Sequence, residues 1–239
     1  MKWTTRPEVS RKVEETQFEL VCEGRTVPGI LWRPEKHGEN GKLALLGHGG
    51  AHHKRSEYVL AVARWLARSH GIASIAIDGP GHGMRIGEGQ EPDFSDAWDA
   101  EETTDNIVAD WRAALDEAQG ILGVGPVAYW GLSMGTMIGI PLAAVEPRIK
   151  VALFGLMGFW GLNQKQLREK APLVTCPLRF LLQWDDEIVP RERGLMLFDA
   201  LGSKDKVLHA HMGLHSAVPM TTMRKTTIYL ASYLCAEQP

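Results

Sequence analysis

Two β-like stretches open the patterned part of the chain. "TQFELVC" and "TVPGILWRP" flank Glu23 and Gly24, and this spacing predicts an antiparallel hairpin. The rhythm then changes. "KLALLGHGG" is a short apolar run that ends in glycines. "SEYVLAVARWLARSHG" has helical spacing and a capping pattern at Ser56. "IASIAIDGPGHG" is a second apolar run ending in glycines. "AEETTDNIVADWRAALDEAQGILG" has a helical period and an acidic start that suits the helix dipole. Strand-like and helical stretches continue to alternate. "VAYWG" precedes the helical "MGTMIGIPLAAVE". "KVALFGL" and "LRFLLQWDDEIVP" read as strands, "RERGLMLFDALG" as a helix and "KVLHAHM" as a strand. Ser216 to Leu234 reads as a last helix.

Apolar runs without alternation, separated by helices, predict a parallel sheet covered on both faces. With the hairpin, the expectation is a mostly parallel sheet of about eight strands in one α/β domain over residues 1–239. Ligands in such sheets bind at the carboxyl ends of the strands. The residues of chemical interest all fall just past a strand.

One of them is Ser133, in "YWGLSMGTMIG". It follows a strand and precedes a small-residue helix. Glycine at 131 and 135 removes side chains that would clash in a tight strand-to-helix turn. The turn lifts the hydroxyl above the sheet edge, at a helix N-terminus that favours negative charge. The bland alternative is a loop serine that caps the helix. G-x-S-x-G alone turns up by chance in roughly one chain in ten of this length, so its partners must decide.

A serine hydroxyl needs a base, and the base needs an orienting group. Nine histidines are available. His37 and His70 sit in or beside exposed segments, His48 and His82 in glycine-rich turns, and His209 and His211 in or at the end of the last strand. His215 lies between that strand and the last helix, where a base would be placed. For the acid, "QWDDEIVP" offers Asp185 and Asp186, which cannot both point inward. The local reading favours Asp186, with Pro190 stiffening the turn behind it.

Composition narrows the function classes. The chain has 239 residues, 44% of them hydrophobic, and a formal net charge of −3. No basic field attracts nucleic acid. The start lacks the apolar core of a signal peptide. The longest apolar run, "VALFGLMGFWGL", is too short to span a bilayer. Three cysteines without a C-x-x-C pair suit reduced thiols in a cytoplasm. "HGGAHH" has no carboxylate nearby in sequence, so no metal site is expected there, and a serine with its base and acid needs no cofactor.

The order Ser133, Asp186, His215, the "GLSMG" turn, the "HGG" turn at 48–50 and the "DGPGHG" turn at 78–83 resemble the α/β-hydrolase superfamily. The resemblance runs from about Phe18 to Leu234. "HGMR" at 82–85 and "DDEIVP" at 185–190 are most similar to compact bacterial esterases related to dienelactone hydrolase. The family pattern around the acid also points to Asp186. A serine stands where dienelactone hydrolases themselves use cysteine.

The resemblance implies an oxyanion hole built from the N–H groups of Met134 and Gly50, with Ala51 as the alternative to Gly50. It implies a serine hydrolase that cleaves a small-molecule carboxylic ester with a small or medium acyl group. A thioesterase, a peptidase, a carbon–carbon bond hydrolase or a binding protein on the same scaffold would carry the same residues. The short span between "VALFG" and "PLRFLLQW" leaves no room for a large cap domain. Ala51, Phe159, Trp160 and Trp184 are candidates for the substrate pocket. The segment holding Phe94 and Trp98 is a candidate wall. Asp78, Gly79, Gly81 and Gly83 read as shaping a turn, and Arg85 as tying that loop down, with binding of a substrate carboxylate as the alternative. The sequence leaves a homodimer open.

Overall fold

The computed structural model describes residues 1–36, 41–86, 98 and 102–236. His37 and Phe94 lie outside the described residues. Among the described residues ten strands form one sheet. The hairpin pairs β3 (Val13–Cys22) with β4 (Arg25–Pro34) in antiparallel register. Its turn carries Glu23 at φ 49° and Gly24 at φ 80°. Two positive φ values match the right-handed twist of the flanking strands. Two short strands that periodicity did not reveal, β1 (Lys2–Trp3) and β2 (Glu8–Ser10), pair with β3. They are exposed and only two and three residues long, so no buried face imprints a pattern on them.

The remaining strands are β5 (Leu43–Gly47), β6 (Ala73–Ile77), β7 (Val127–Gly131), β8 (Ile149–Gly155), β9 (Leu178–Gln183) and β10 (Lys206–His211). They run parallel in the order β6-β5-β7-β8-β9-β10, and β4 joins the β6 edge antiparallel. The chain leaves β5 for β6 on one side and returns to β7 on the other. That reversal opens a crevice at the carboxyl ends of β5 and β7.

Helices cover both faces. On one lie α1 (Glu57–His70) and α6 (Met220–Cys235), whose apolar faces meet Trp32, Trp130 and Leu153. On the other lie α2 (Thr103–Leu122), α3 (Met134–Val145), α4 (Gln164–Lys170) and α5 (Arg191–Ala200). Here Trp111, Tyr129, Phe154 and Phe180 fill the core. In α1, Val59, Val62, Ala63 and Leu66 form the buried stripe, the i, i+3, i+4, i+7 spacing of an amphipathic helix. Only α4 and one 3-10 turn fill the span between β8 and β9, so no large cap interrupts the sheet. Among the described residues no helix is long and apolar enough to cross a membrane.

Two local expectations need correction. The last helix starts at Met220, not Ser216. Pro219 disfavours helical angles at Val218 and sits at the N-cap instead. Ser56 does stand at the N-cap of α1, but its hydroxyl accepts the N–H of His53 and bonds no helix N–H.

Asp110, fully buried on α2, fastens the hairpin side of the sheet. It accepts from Arg25 at 3.1 Å and from Arg85 at 2.8 Å. Arg85 thus ties its loop down. Removing the carboxylate leaves the largely buried Arg85 without its acid partner and leaves Arg25 with Glu23 alone. Asp110→Ala is therefore expected to lower unfolding free energy by about 3 kcal/mol, measured by urea denaturation. A loss below about 0.5 kcal/mol would contradict this.

Candidate active site

The turn after β7 places Ser133 at φ 57° and ψ −121°, angles rarely adopted by a residue with a side chain. Close backbone packing holds it there. A Cβ on Gly135 would lie 2.5 Å from the Gly47 carbonyl oxygen. A Cβ on Gly131 would lie 2.8 Å from the Gly135 carbonyl. Glycine at both positions lets β5, β7 and α3 approach this closely. The Ser133 N–H donates to the Gly155 carbonyl at 2.9 Å. The Gly155 N–H donates to the Thr136 hydroxyl at 2.8 Å. The buried Tyr129 hydroxyl donates to the Gly135 carbonyl at 2.6 Å.

His215 and Asp186 meet Ser133 in a row. His215 Nε2 is 3.0 Å from Ser133 Oγ, and His215 Nδ1 is 2.8 Å from Asp186 Oδ2. The carboxylate holds the tautomer in which Nδ1–H donates and Nε2 accepts. The second oxygen of Asp186 accepts the N–H groups of Ile188 and Val189 at 2.9 and 2.8 Å. Burial alone would raise the Asp186 carboxyl. The bonds from His215, Val189 and Ile188 outweigh it and hold the group below the usual carboxylate range.

The acidic neighbours have a different task. Asp185 accepts the Gly213 N–H at 3.3 Å, and Glu187 accepts the His215 N–H at 2.8 Å. The buried Gln183 amide donates to the Leu214 carbonyl at 3.0 Å. These side chains fix the loop that carries His215. Sequence reading missed Glu187 and Gln183. Their only signal is position, at the end of β9 beside the chosen aspartate.

The loop after β5 faces the serine. Among the described residues, the N–H groups of Gly50 and Met134 have no protein acceptor. The Ala51 N–H donates to His82 Nε2 at 3.2 Å, so it is already engaged. His82 Nδ1 is 2.7 Å from the Pro80 carbonyl. His48 accepts the Gly79 N–H on Nε2 at 2.9 Å and donates from Nδ1 to the Gly49 carbonyl at 2.8 Å. Behind them the buried Asp78 accepts both the Lys54 N–H, at 2.9 Å, and the Lys54 ammonium, at 2.6 Å. The two glycine-rich turns are thus bonded into one rigid unit.

A cavity of about 320 Å³ opens on this row. Ser133, His215, Gly49 and Gly50 lie on its wall. Leu132, Leu156, Val218, Met220 and Met223 make most of it apolar, and Tyr58, His52 and Ser216 add polar groups. The proposed pocket residues Ala51, Phe159, Trp160 and Trp184 do not line it. Phe159 is buried in the core beneath the Arg168 guanidinium, 4.3 Å away. Trp184 is exposed and covered by Arg191 at 4.2 Å. Trp160 is exposed, and Trp98 is buried in the core. Among the described residues no three His, Cys, Asp or Glu side chains gather as a metal-holding group.

Burial pushes the His48 imidazole down to about 4. In the unfolded chain it titrates near 6.5. Between those values the unfolded state binds a proton that the folded state refuses, so stability falls as pH drops from about 6.5 to 4. His48→Gln is expected to flatten this slope in urea denaturation run across that window. An unchanged slope would show that His48 does not titrate this way.

The sequence profile of the alpha/beta hydrolase family matches residues 44–230. No curated protein sequence matches the chain. Among solved structures, the PEG-bound complex of a cold-adapted esterase from an Arctic intertidal metagenomic library is 48% identical, with a TM-score of 0.90. That match covers 98% of this chain and 100% of the other. Est1E from Butyrivibrio proteoclasticus, with ferulic acid bound, is 16% identical with a TM-score of 0.72, over 92% of this chain and 100% of that one. An S-formylglutathione hydrolase from Agrobacterium tumefaciens is 16% identical with a TM-score of 0.73, over 98% and 100%. These two share the fold alone. The profile match, the near-complete likeness to a structure at 48% identity and the geometry of the turn after β7 lead to one assignment: the chain belongs to the alpha/beta hydrolase family.

Proposed function

We propose that the chain is a carboxylesterase-like serine hydrolase that cleaves esters of small or medium acyl groups. The observation that carries this reading is the Ser133, His215, Asp186 row at 3.0 and 2.8 Å, opening on a mostly apolar cavity. The 48% identical structure is that of an esterase, which supports ester hydrolysis here.

In this reading His215 Nε2 takes the Ser133 proton as Oγ attacks the ester carbonyl. Asp186 stabilises the imidazolium that forms. The tetrahedral oxygen becomes negative and accepts from the Gly50 and Met134 N–H groups. Both lack another protein acceptor among the described residues, and both stand beside the nucleophile in sequence or across the cavity. The imidazolium then gives its proton to the leaving alcohol, and an acyl-enzyme remains on Ser133. Water, deprotonated by His215, releases the acid. Each N–H of the oxyanion pair is worth about 3 kcal/mol of barrier.

A serine-directed fluorophosphonate and p-nitrophenyl esters of increasing acyl length test the reading. Wild type is expected to be labelled and to turn over the shorter esters faster than long-chain ones. Ser133→Ala is expected to lose both activities. Asp186→Asn is expected to keep the fold and lose about 10⁴-fold in kcat, because the imidazole no longer holds the right tautomer. Undiminished labelling of Ser133→Ala would contradict the assignment.

A further inference from the structure

The mechanism above leaves three polar residues of the cavity without a task, and of these Tyr58 is half-buried while His52 and Ser216 are exposed. Tyr58 lies near the start of α1 and lines the same cavity as Ser133 and His215. Its hydroxyl oxygen accepts the Gly49 N–H at 2.6 Å. A phenol can also donate one hydrogen bond. Among the described residues the Tyr58 hydroxyl has no acceptor for its proton. The ring cannot swing away easily. It packs edge-on against His52 at 5.1 Å and tilted against Trp130 at 6.0 Å between centroids. Burial pushes the phenol up to about 12, so the proton stays in place at neutral pH.

The surrounding wall gives this donor its consequence. Leu132, Leu156 and Val218 offer the proton no side-chain acceptor, and the Met220 and Met223 thioethers offer only a weak one. An all-carbon substituent seated against them would shut water out and leave the Tyr58 donor unpaired. A site that must hydrogen-bond its ligand rejects the analogue that lacks the partner atom far more strongly than an apolar pocket rejects a missing methylene.

We infer that Tyr58 donates a hydrogen bond to substrate and selects esters with an oxygen acceptor, such as an ether, hydroxyl or carbonyl, close to the scissile carbonyl. The inference rests on the esterase reading and sharpens its substrate class. Tyr58 is then a substrate-binding residue as well as the acceptor that steadies Gly49.

Two pairs of isosteric esters test it. p-Nitrophenyl methoxyacetate and p-nitrophenyl butyrate differ by one oxygen on the acyl side. 2-Methoxyethyl butyrate and butyl butyrate differ by one oxygen on the alcohol side. The readout is the ratio of kcat/KM within each pair, for wild type and for Tyr58→Phe. Comparing the two proteins cancels the different intrinsic reactivity of the esters. In one pair the ratio is expected to fall roughly five- to tenfold on substitution, and that pair identifies the side on which the acceptor sits.

A role confined to holding Gly49 would slow all four esters alike. Unchanged ratios in both pairs would therefore overturn the inference while leaving the esterase reading intact. No hydrolysis of any ester by wild type, with no fluorophosphonate labelling, would overturn the esterase reading itself and this inference with it. If Tyr58→Phe does not fold, wild type decides through two pairs of inert competitors. Tighter inhibition by 2-methoxyacetamide than by butyramide, or by N-(2-methoxyethyl)butyramide than by N-butylbutyramide, supports a donor in the pocket. Equal or weaker inhibition in both pairs overturns it.

Discussion

The close approach of three backbones at the end of β7 is the constraint on which the site depends. Ser133 can hold φ 57° only because the Gly47 carbonyl, Gly131 and Gly135 leave no room for side chains between them. The strain is local, and the compensation is distributed. The Gly155 carbonyl takes the Ser133 N–H, Thr136 takes the Gly155 N–H, and Tyr129 donates to Gly135. Each of these partners sits in a different part of the sheet-and-helix frame. Relaxing the turn would break all of these bonds together, which is how a folded domain keeps one residue in a sparsely populated conformation.

The same logic runs through the two loops that face the serine. The loop after β5 is bonded to the loop after β6 through His48, His82, and the Lys54 and Asp78 ion pair. The His215 loop is bonded to the end of β9 through Gln183, Asp185 and Glu187. Each of these described loop segments is therefore tied to its neighbours by several side-chain bonds. Groups that stabilise a developing charge need fixed positions, because their benefit comes from not having to reorganise.

Much of this was legible in the chain. Strands β5 to β9 follow from apolar runs, since a strand buried on both faces has to be apolar throughout. Strands β3 and β4 follow from the hairpin pattern around Glu23 and Gly24, and β10, though mostly exposed, from its place in the alternation with helices. The turn at Ser133 follows from glycine spacing. His215 and Asp186 follow from their places after strands, and the structure brings those two to Ser133 while Asp185 turns to Gly213. The pocket wall was not legible. Tyr58, Leu156, Met220 and Met223 come from three separated parts of the chain, and no motif links them. Phe159, Trp160 and Trp184 were attractive as aromatic residues past strand ends. Stacked arginines and core packing decided where two of them face, and neither effect has a local sequence signature. The strands β1 and β2 escaped because they are short and exposed.

The central claim is that this frame turns Ser133 into a nucleophile that carries an acyl group. Rapid mixing with excess p-nitrophenyl acetate, quenched with acid and followed by peptide mass spectrometry, measures it directly. The account predicts an acetyl adduct of about 42 Da on the peptide containing Ser133 that forms within the first turnover and decays as substrate runs out. Steady hydrolysis with no adduct on Ser133, or with the acyl group on another side chain, would contradict it.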